Sequence, residues 1–160
     1  AEKLIERQIS GYDGVEPSGN SNAALAFLKL GAYLANPSLI RNAEKIFLAF
    51  HEELTEYGMN SSFMMQALHL YLGGLKEVAI IGKKNDPSTK KMLKTIRSKF
   101  FPNAVFTFSY EDELIKNSSD IPLLAKKTIV GGKATAYVCK LGTCLTPVNS
   151  PEDLVNLLKY

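Results

Sequence analysis

The spacing of apolar residues divides the chain in two. Leu39, Ala43, Ile46, Phe47, Phe50 and Leu54 recur every three or four positions, one stripe of an amphipathic helix. Pro37-Ser38 predicts its start, with Ser38 as N-cap, and Tyr57-Gly58 its end, where glycine accepts a left-handed cap conformation. Ahead of it, residues 20–34 carry Ala23, Ala24, Phe27, Leu28 and Leu30, a second helix that Asn20 or Ser21 would cap. Behind it, Ser61 or Ser62 would cap a third, running through Met64, Leu68 and Tyr71 to Gly73-Gly74. Helices joined by such short loops are expected to lie antiparallel.

At Lys76 the period changes. Val78-Ala79-Ile80-Ile81 is an unbroken apolar run, the mark of a strand buried on both faces. Asp86 before Pro87 predicts a capped helix through Met92, Leu93, Ile96 and Phe100. Residues 104–108 predict the next strand, which completes a strand–helix–strand unit of about 30 residues. Beyond it lie a polar helical stretch over 111–117, a turn at Gly131-Gly132, a strand over 134–139 that Gly142 turns back toward Cys144-Leu145, and a last helix opened by Ser150-Pro151. The expected organisation is α+β: residues 1–75 helical, residues 76–160 a small α/β region with a βαβ crossover.

Composition narrows the partners. The 160 residues are 46% hydrophobic with a net charge of +3 from 19 basic and 16 acidic side chains, too balanced to demand a polyanion. The densest basic stretches, Lys83-Lys84 and residues 90–94, fit a solvated helix face better than a nucleic-acid track, which needs clustered charge together with stacking aromatics. No apolar run approaches the roughly 20 residues that span a bilayer. With two cysteines there is no disulfide framework, so a cytoplasmic location is expected. Neither nucleic acid nor a membrane is an expected partner. The first residues, Ala1 to Arg7, look like a cut edge, so the remainder of a parent chain is an expected partner. An apolar helix surface left without it would make a homodimer of the fragment an alternative.

Two segments could carry chemistry. Residues 12–21 pack Tyr12, Asp13, Glu16, Ser18 and Asn20 into a loop before a helix; such groups could bind an anion or sugar hydroxyls, and paired carboxylates could do acid–base work. The bland alternative makes Asp13-Gly14 a turn and the polar residues helix caps, and it is the preferred one on these residues alone. Cys139 and Cys144 form the second segment. Two independent thiols come first; a reversible disulfide across a tight turn at Gly142 is the alternative. His51 reads as an exposed helix residue and His69 as a packed or rim histidine. Neither Cys-x-x-Cys spacing nor a metal-ligand set nor a G-x-G-x-x-G fingerprint occurs, so no cofactor and no metal is expected.

Asp13-Gly14-x-x-Pro17-Ser18-Gly19-Asn20-Ser21, followed by an Ala-rich helix, resembles a signature of the thioredoxin-domain-containing proteins related to spermatogenesis-associated protein twenty. Ile80-Ile81-Gly82, Asp86-Pro87, and Ala136-Tyr137-Val138-Cys139 with Cys144 continue the resemblance along nearly the whole chain. Val15 and Glu16 before Pro17, and Asn22 after Ser21, depart from the commoner form. The resemblance implies a longer parent: an N-terminal thioredoxin-like domain joined to an (α/α)6 barrel like those of six-hairpin glycosidases. Residues 1–75 would then be final barrel hairpins, with Asp13, Glu16, Ser18 and Asn20 facing a central, carbohydrate-binding or sugar-processing pocket. The alternatives are a thiol-redox protein, whose missing thioredoxin-like domain exchanges with Cys139 and Cys144, and a non-catalytic scaffold.

Overall fold

The computed structural model describes residues 9–140 and 142–159. Among them are seven α-helices and one four-stranded mixed sheet. This corrects the expected (α/α)6-type hairpins: the chain is a small α+β protein. The barrel came from the resemblance and not from the apolar spacing, which called only for helices.

Two compact units divide the chain. The first takes Pro37–Gly73 and the described residues before Lys29; the second takes Lys29–Asn36 and the described residues from Gly74 on. In the first, helix α1 (Gly19–Tyr33) begins the helical series and its final turn counts with the second unit. Helices α2 (Pro37–Ala49) and α3 (His51–Glu56) replace the single helix that the spacing predicts, because Phe50 leaves helical geometry at φ −111°, ψ 19°. Helix α2 starts at Pro37, so Ser38 is inside it and not its cap. A 3₁₀ turn (Gly58–Ser61) leads to α4 (Ser62–Gly73). The unit buries Ala24, Leu28, Ala43, Phe47, Leu54, Met64, Ala67 and Leu70, and Phe47 stacks obliquely on Tyr71 with ring centroids 5.6 Å apart.

In the second unit, strand β1 (Lys76–Gly82) lies between β2 (Ala104–Tyr110), parallel to it, and β3 (Thr135–Lys140), antiparallel. Helix α5 (Pro87–Arg97) makes the β1–β2 crossover; Asp86 caps it, its carboxylate accepting from the Thr89 backbone N–H at 3.2 Å. Phe100 falls beyond this helix and is 87% exposed, outside the stripe that sequence spacing gave it. Helix α6 (Leu114–Asp120) follows β2; the two-residue β4 (Thr143–Cys144) pairs back on β3, and α7 (Pro151–Leu158) closes the chain. The sheet order is β2-β1-β3-β4.

Both faces of β1 are covered, as its unbroken apolar run requires. Val78 and Ile80 pack with Met92 of α5 and with Leu154 and Leu158 of α7. Ala79 and Ile81 pack with Leu123, Leu124 and Ala32. On that second face, Tyr33 donates its hydroxyl to the Phe106 carbonyl at 3.3 Å. Gly142, at φ +78°, makes the tight β3–β4 turn in a backbone region that side chains resist.

Candidate functional site

The loop over residues 12–21 spends its polar groups on backbone. Asp13 Oδ1 accepts from the Ser18 N–H at 2.7 Å; Oδ2 accepts from the N–H groups of Phe63 and Met64 at 2.8 and 3.1 Å. Those last two donors belong to the first turn of α4, whose N–H groups have no partner within the helix. Asp13 therefore caps α4 from fifty residues upstream, a role sequence reasoning had given to Ser61 or Ser62. Ser18, not Asn20 or Ser21, caps α1: its Oγ accepts from the Ser21 N–H at 3.0 Å. Asn20 donates to the Ser10 carbonyl at 2.9 Å. Burial opposes ionisation of Asp13, but hydrogen bonds from Ser18, Ser21, Met64 and Phe63 outweigh it and hold the carboxyl below its usual range. Tyr12 is 59% exposed, its ring folded against Gly14, and Glu16 stands in solvent. His51 and His69 are both exposed.

The hairpin at the other candidate segment gathers a different set of groups. Cys139 and Cys144 face each other in the β3–β4 ladder and are joined, with S–S 2.01 Å. Cys139 is 2% exposed, while Cys144 lies open to solvent. Lys127 directs its ammonium to the Cys144 sulfur at 3.4 Å and lies 5.3 Å from the Tyr137 ring centroid. Across the β1–β3 ladder, Glu77 is the direct partner of Cys139, so both side chains leave the same face with Cβ atoms about 5 Å apart. Burial is the largest influence on Glu77 and raises its carboxyl above the usual glutamate value, against the Gly142 N–H and the Lys127 charge.

A buried sulfur, an exposed sulfur, a cation beside the exposed one and a carboxyl whose burial raises its affinity for a proton beside the buried one form a single constellation. Glu77 and Lys127 escaped the sequence analysis. The signal for Glu77 was available, since it follows Lys76 at the opening of a strand that then runs on in apolar residues and faces the same side as the buried Ala79 and Ile81. Nothing in the spacing pointed to Lys127. In βαβ folds with a Cys-x-x-Cys redox motif the cysteines gain reactivity at a helix N-terminus. Here the N-terminus of α5 carries Asp86-Pro87-Ser88, and the disulfide lies at the opposite end of β1, beside Glu77.

Fold and site thus define a mixed-sheet α/β unit with a hairpin disulfide, preceded by a helical unit. The chain is similar to spermatogenesis-associated protein 20: it is 29% identical to the human protein over 146 residues, covering 91% of this chain and 19% of that one. The rat and mouse proteins match at 28% and 27% over the same share of the chain. The chain thus spans less than a fifth of the length of these curated relatives. No family model matches the chain, and no solved structure matches it significantly. No helix among the described residues is long and apolar enough to cross a membrane.

Proposed function

We propose that the second unit is a thiol–disulfide exchange module, its reacting bond Cys139–Cys144. The observation that carries this reading is the pairing of one open and one buried sulfur with Lys127 and Glu77. A partner protein dithiol, as thiolate, attacks the only accessible sulfur, that of Cys144. The S–S bond breaks, its electron pair passes to the Cys139 sulfur, and the Glu77 carboxyl supplies the proton. The partner's second thiolate then attacks its own sulfur in the mixed disulfide, forming the partner's disulfide and releasing Cys144 as a thiolate beside the Lys127 ammonium. Two electrons move from partner to chain. The thioredoxin-like domain implied by the family resemblance is a dithiol of the right kind.

Energetics favour a reversible bond over a staple. The linked residues are five apart, and closing so short a loop restricts the unfolded chain by only about 2 kcal/mol. A core already covered on both faces of β1 survives that loss. The test equilibrates the chain in dithiothreitol buffers of graded potential and counts alkylated thiols by mass. Reversible two-electron titration of the folded protein is expected. With oxidised glutathione supplied as the oxidant, the Cys144 thiolate of Cys139→Ser attacks its S–S bond, keeps one glutathione as a stable mixed disulfide and releases the other, while Cys144→Ser, its remaining sulfur buried, forms none. A bond reduced only after unfolding would overturn the proposal.

A further inference from the structure

On the sheet face opposite the disulfide, a groove of about 550 Å³ runs between α5 and the edge strand β2. Lys90, Lys94 and Arg97 line it from the helix, Phe108 and Tyr110 from the strand, with Leu93 between them. The three cations lie at helical spacings of four and three residues, so they form one stripe about 10 Å long. None has a carboxylate within 4.0 Å among the described residues, whereas Lys83, Lys84 and Lys91 are paired with Glu111, Asp112, Glu113 and Glu152. Three such cations therefore share one stripe at the groove, while lysines elsewhere, among them Lys45, Lys116 and Lys133, are equally without a carboxylate within 4.0 Å among the described residues. Phe108 and Tyr110 meet edge to face at 4.8 Å. Two residues beyond the end of the helix cap, Phe100 presents its ring to water.

A solvated helix face accounts for part of this pattern. Lys94 and Arg97 sit in the last turn of α5, where a cation complements the helix dipole. Lys90 is near the first turn, where the same dipole disfavours it, and an exposed Phe100 gains nothing from solvation. The sequence reading asked for clustered charge together with stacking aromatics. The fold sets beside the cations Phe108, half-buried against the core, and Tyr110, half-buried with the Lys84 ammonium 5.5 Å from its ring centroid, and leaves Phe100 as the fully open ring.

We propose that this groove binds single-stranded nucleic acid, with phosphates on Lys90, Lys94 and Arg97 and unstacked bases against Phe108, Tyr110 and Phe100. A duplex offers no open base faces to these rings, and an acidic peptide without aromatic side chains has no ring to stack on them. Glu111, Asp112 and Glu113 follow Tyr110 directly and limit the track at that end, so the footprint is short. The inference is independent of the exchange chemistry.

Fluorescence anisotropy of the full chain with labelled single-stranded oligomers of about eight nucleotides, in about 50 to 200 mM salt, tests it. Two or three phosphate contacts give a log–log salt slope of about −1.4 to −2.1. The double variant Lys94→Ala/Arg97→Ala lowers affinity and flattens that slope by about 1.4. Phe100→Ala loses about fivefold or more with its slope unchanged, as a stacking contact should. Equal binding of polyglutamate or of a mononucleotide, wild-type behaviour of the double variant, or no binding at the lowest salt would each overturn the proposal. Circular dichroism confirms that the variants, all at exposed positions, remain folded.

Discussion

The loop over residues 12–21 and the hairpin over residues 139–144 both concentrate reactive side chains, yet they differ in what those side chains have left to offer. In the loop, the Asp13 oxygens accept from three backbone N–H groups and the Ser18 hydroxyl caps a helix. In the hairpin, the Cys144 sulfur and the Lys127 ammonium face solvent chemistry, and Glu77 is held toward its protonated form. Density of polar residues therefore says little about a site until the hydrogen bonds already committed are subtracted. Subtraction leaves the loop as a clamp on two helix N-termini and the hairpin as the place with unspent reactivity.

Breaking the clamp gives the largest effect. Asp13→Ala leaves the first turn of α4 uncapped and the Ser18 N–H without its acceptor, an expected loss of about 2–3 kcal/mol. Asp13→Asn keeps one acceptor oxygen and loses about half of that. Urea unfolding midpoints measure both, and an unchanged midpoint for the alanine variant would remove the clamp. Acid gives the same result without mutation. Because the folded carboxyl lies below its ordinary value of 3.8, its contribution is fully present above that pH and disappears as pH falls through the lowered folded value. The alanine variant lacks this acid-linked loss.

Glu77 sharpens the other half of the comparison, with the opposite sign. Its folded-state carboxyl titrates above the ordinary 4.5, so the folded chain binds the proton more tightly than the unfolded one. Stability from this group is complete below the unfolded value and lost as pH rises through the raised folded one. Glu77→Gln should flatten that fall, by less than about 1 kcal/mol because the half-exposed carboxylate is screened by water. Unfolding midpoints from about pH 4 to pH 7 read the difference. The variant should also slow reduction of Cys139–Cys144 most at acid pH, where the wild-type carboxyl holds its proton. Identical pH profiles in both proteins would remove Glu77 from the exchange step.

How far these regions were legible follows the range of the interactions that build them. The strand β1 was readable because burial on both faces forces a continuous apolar run, and the α5 cap because Asp86 and Pro87 are adjacent. The break at Phe50 was not, since Ile46, Phe47, Phe50 and Leu54 keep helical spacing across it. Asp13 capping α4 joins residues fifty apart, beyond any local window. The loop's polar groups were foreseen as caps, but assigned to the wrong residues. For the cysteines, spacing allowed two outcomes; the register that opposes Cys139 to Cys144, set by the Gly142 turn, decides between them. Chemistry around that bond depends on Glu77 from β1 and Lys127 from the segment before β3, and no one-dimensional pattern brings those together.

The smallest expected effect is the one that isolates any ligand chemistry left in the loop. Glu16 and the Tyr12 hydroxyl are the side-chain groups there without a hydrogen-bond partner among the described residues, and both residues are exposed. Glu16→Gln and Tyr12→Phe should therefore change stability by no more than about 0.5 kcal/mol. A ligand that recognises the folded loop must use these two groups or displace a backbone contact made by Asp13, Ser18 or Asn20. Titrating small sugars and anions against both variants separates the cases, because the clamp stays intact in each. Binding that weakens without any shift in the unfolding midpoint would give the loop a function of its own; binding unchanged, or absent from all three proteins, leaves it as the fastening that holds α1 and α4.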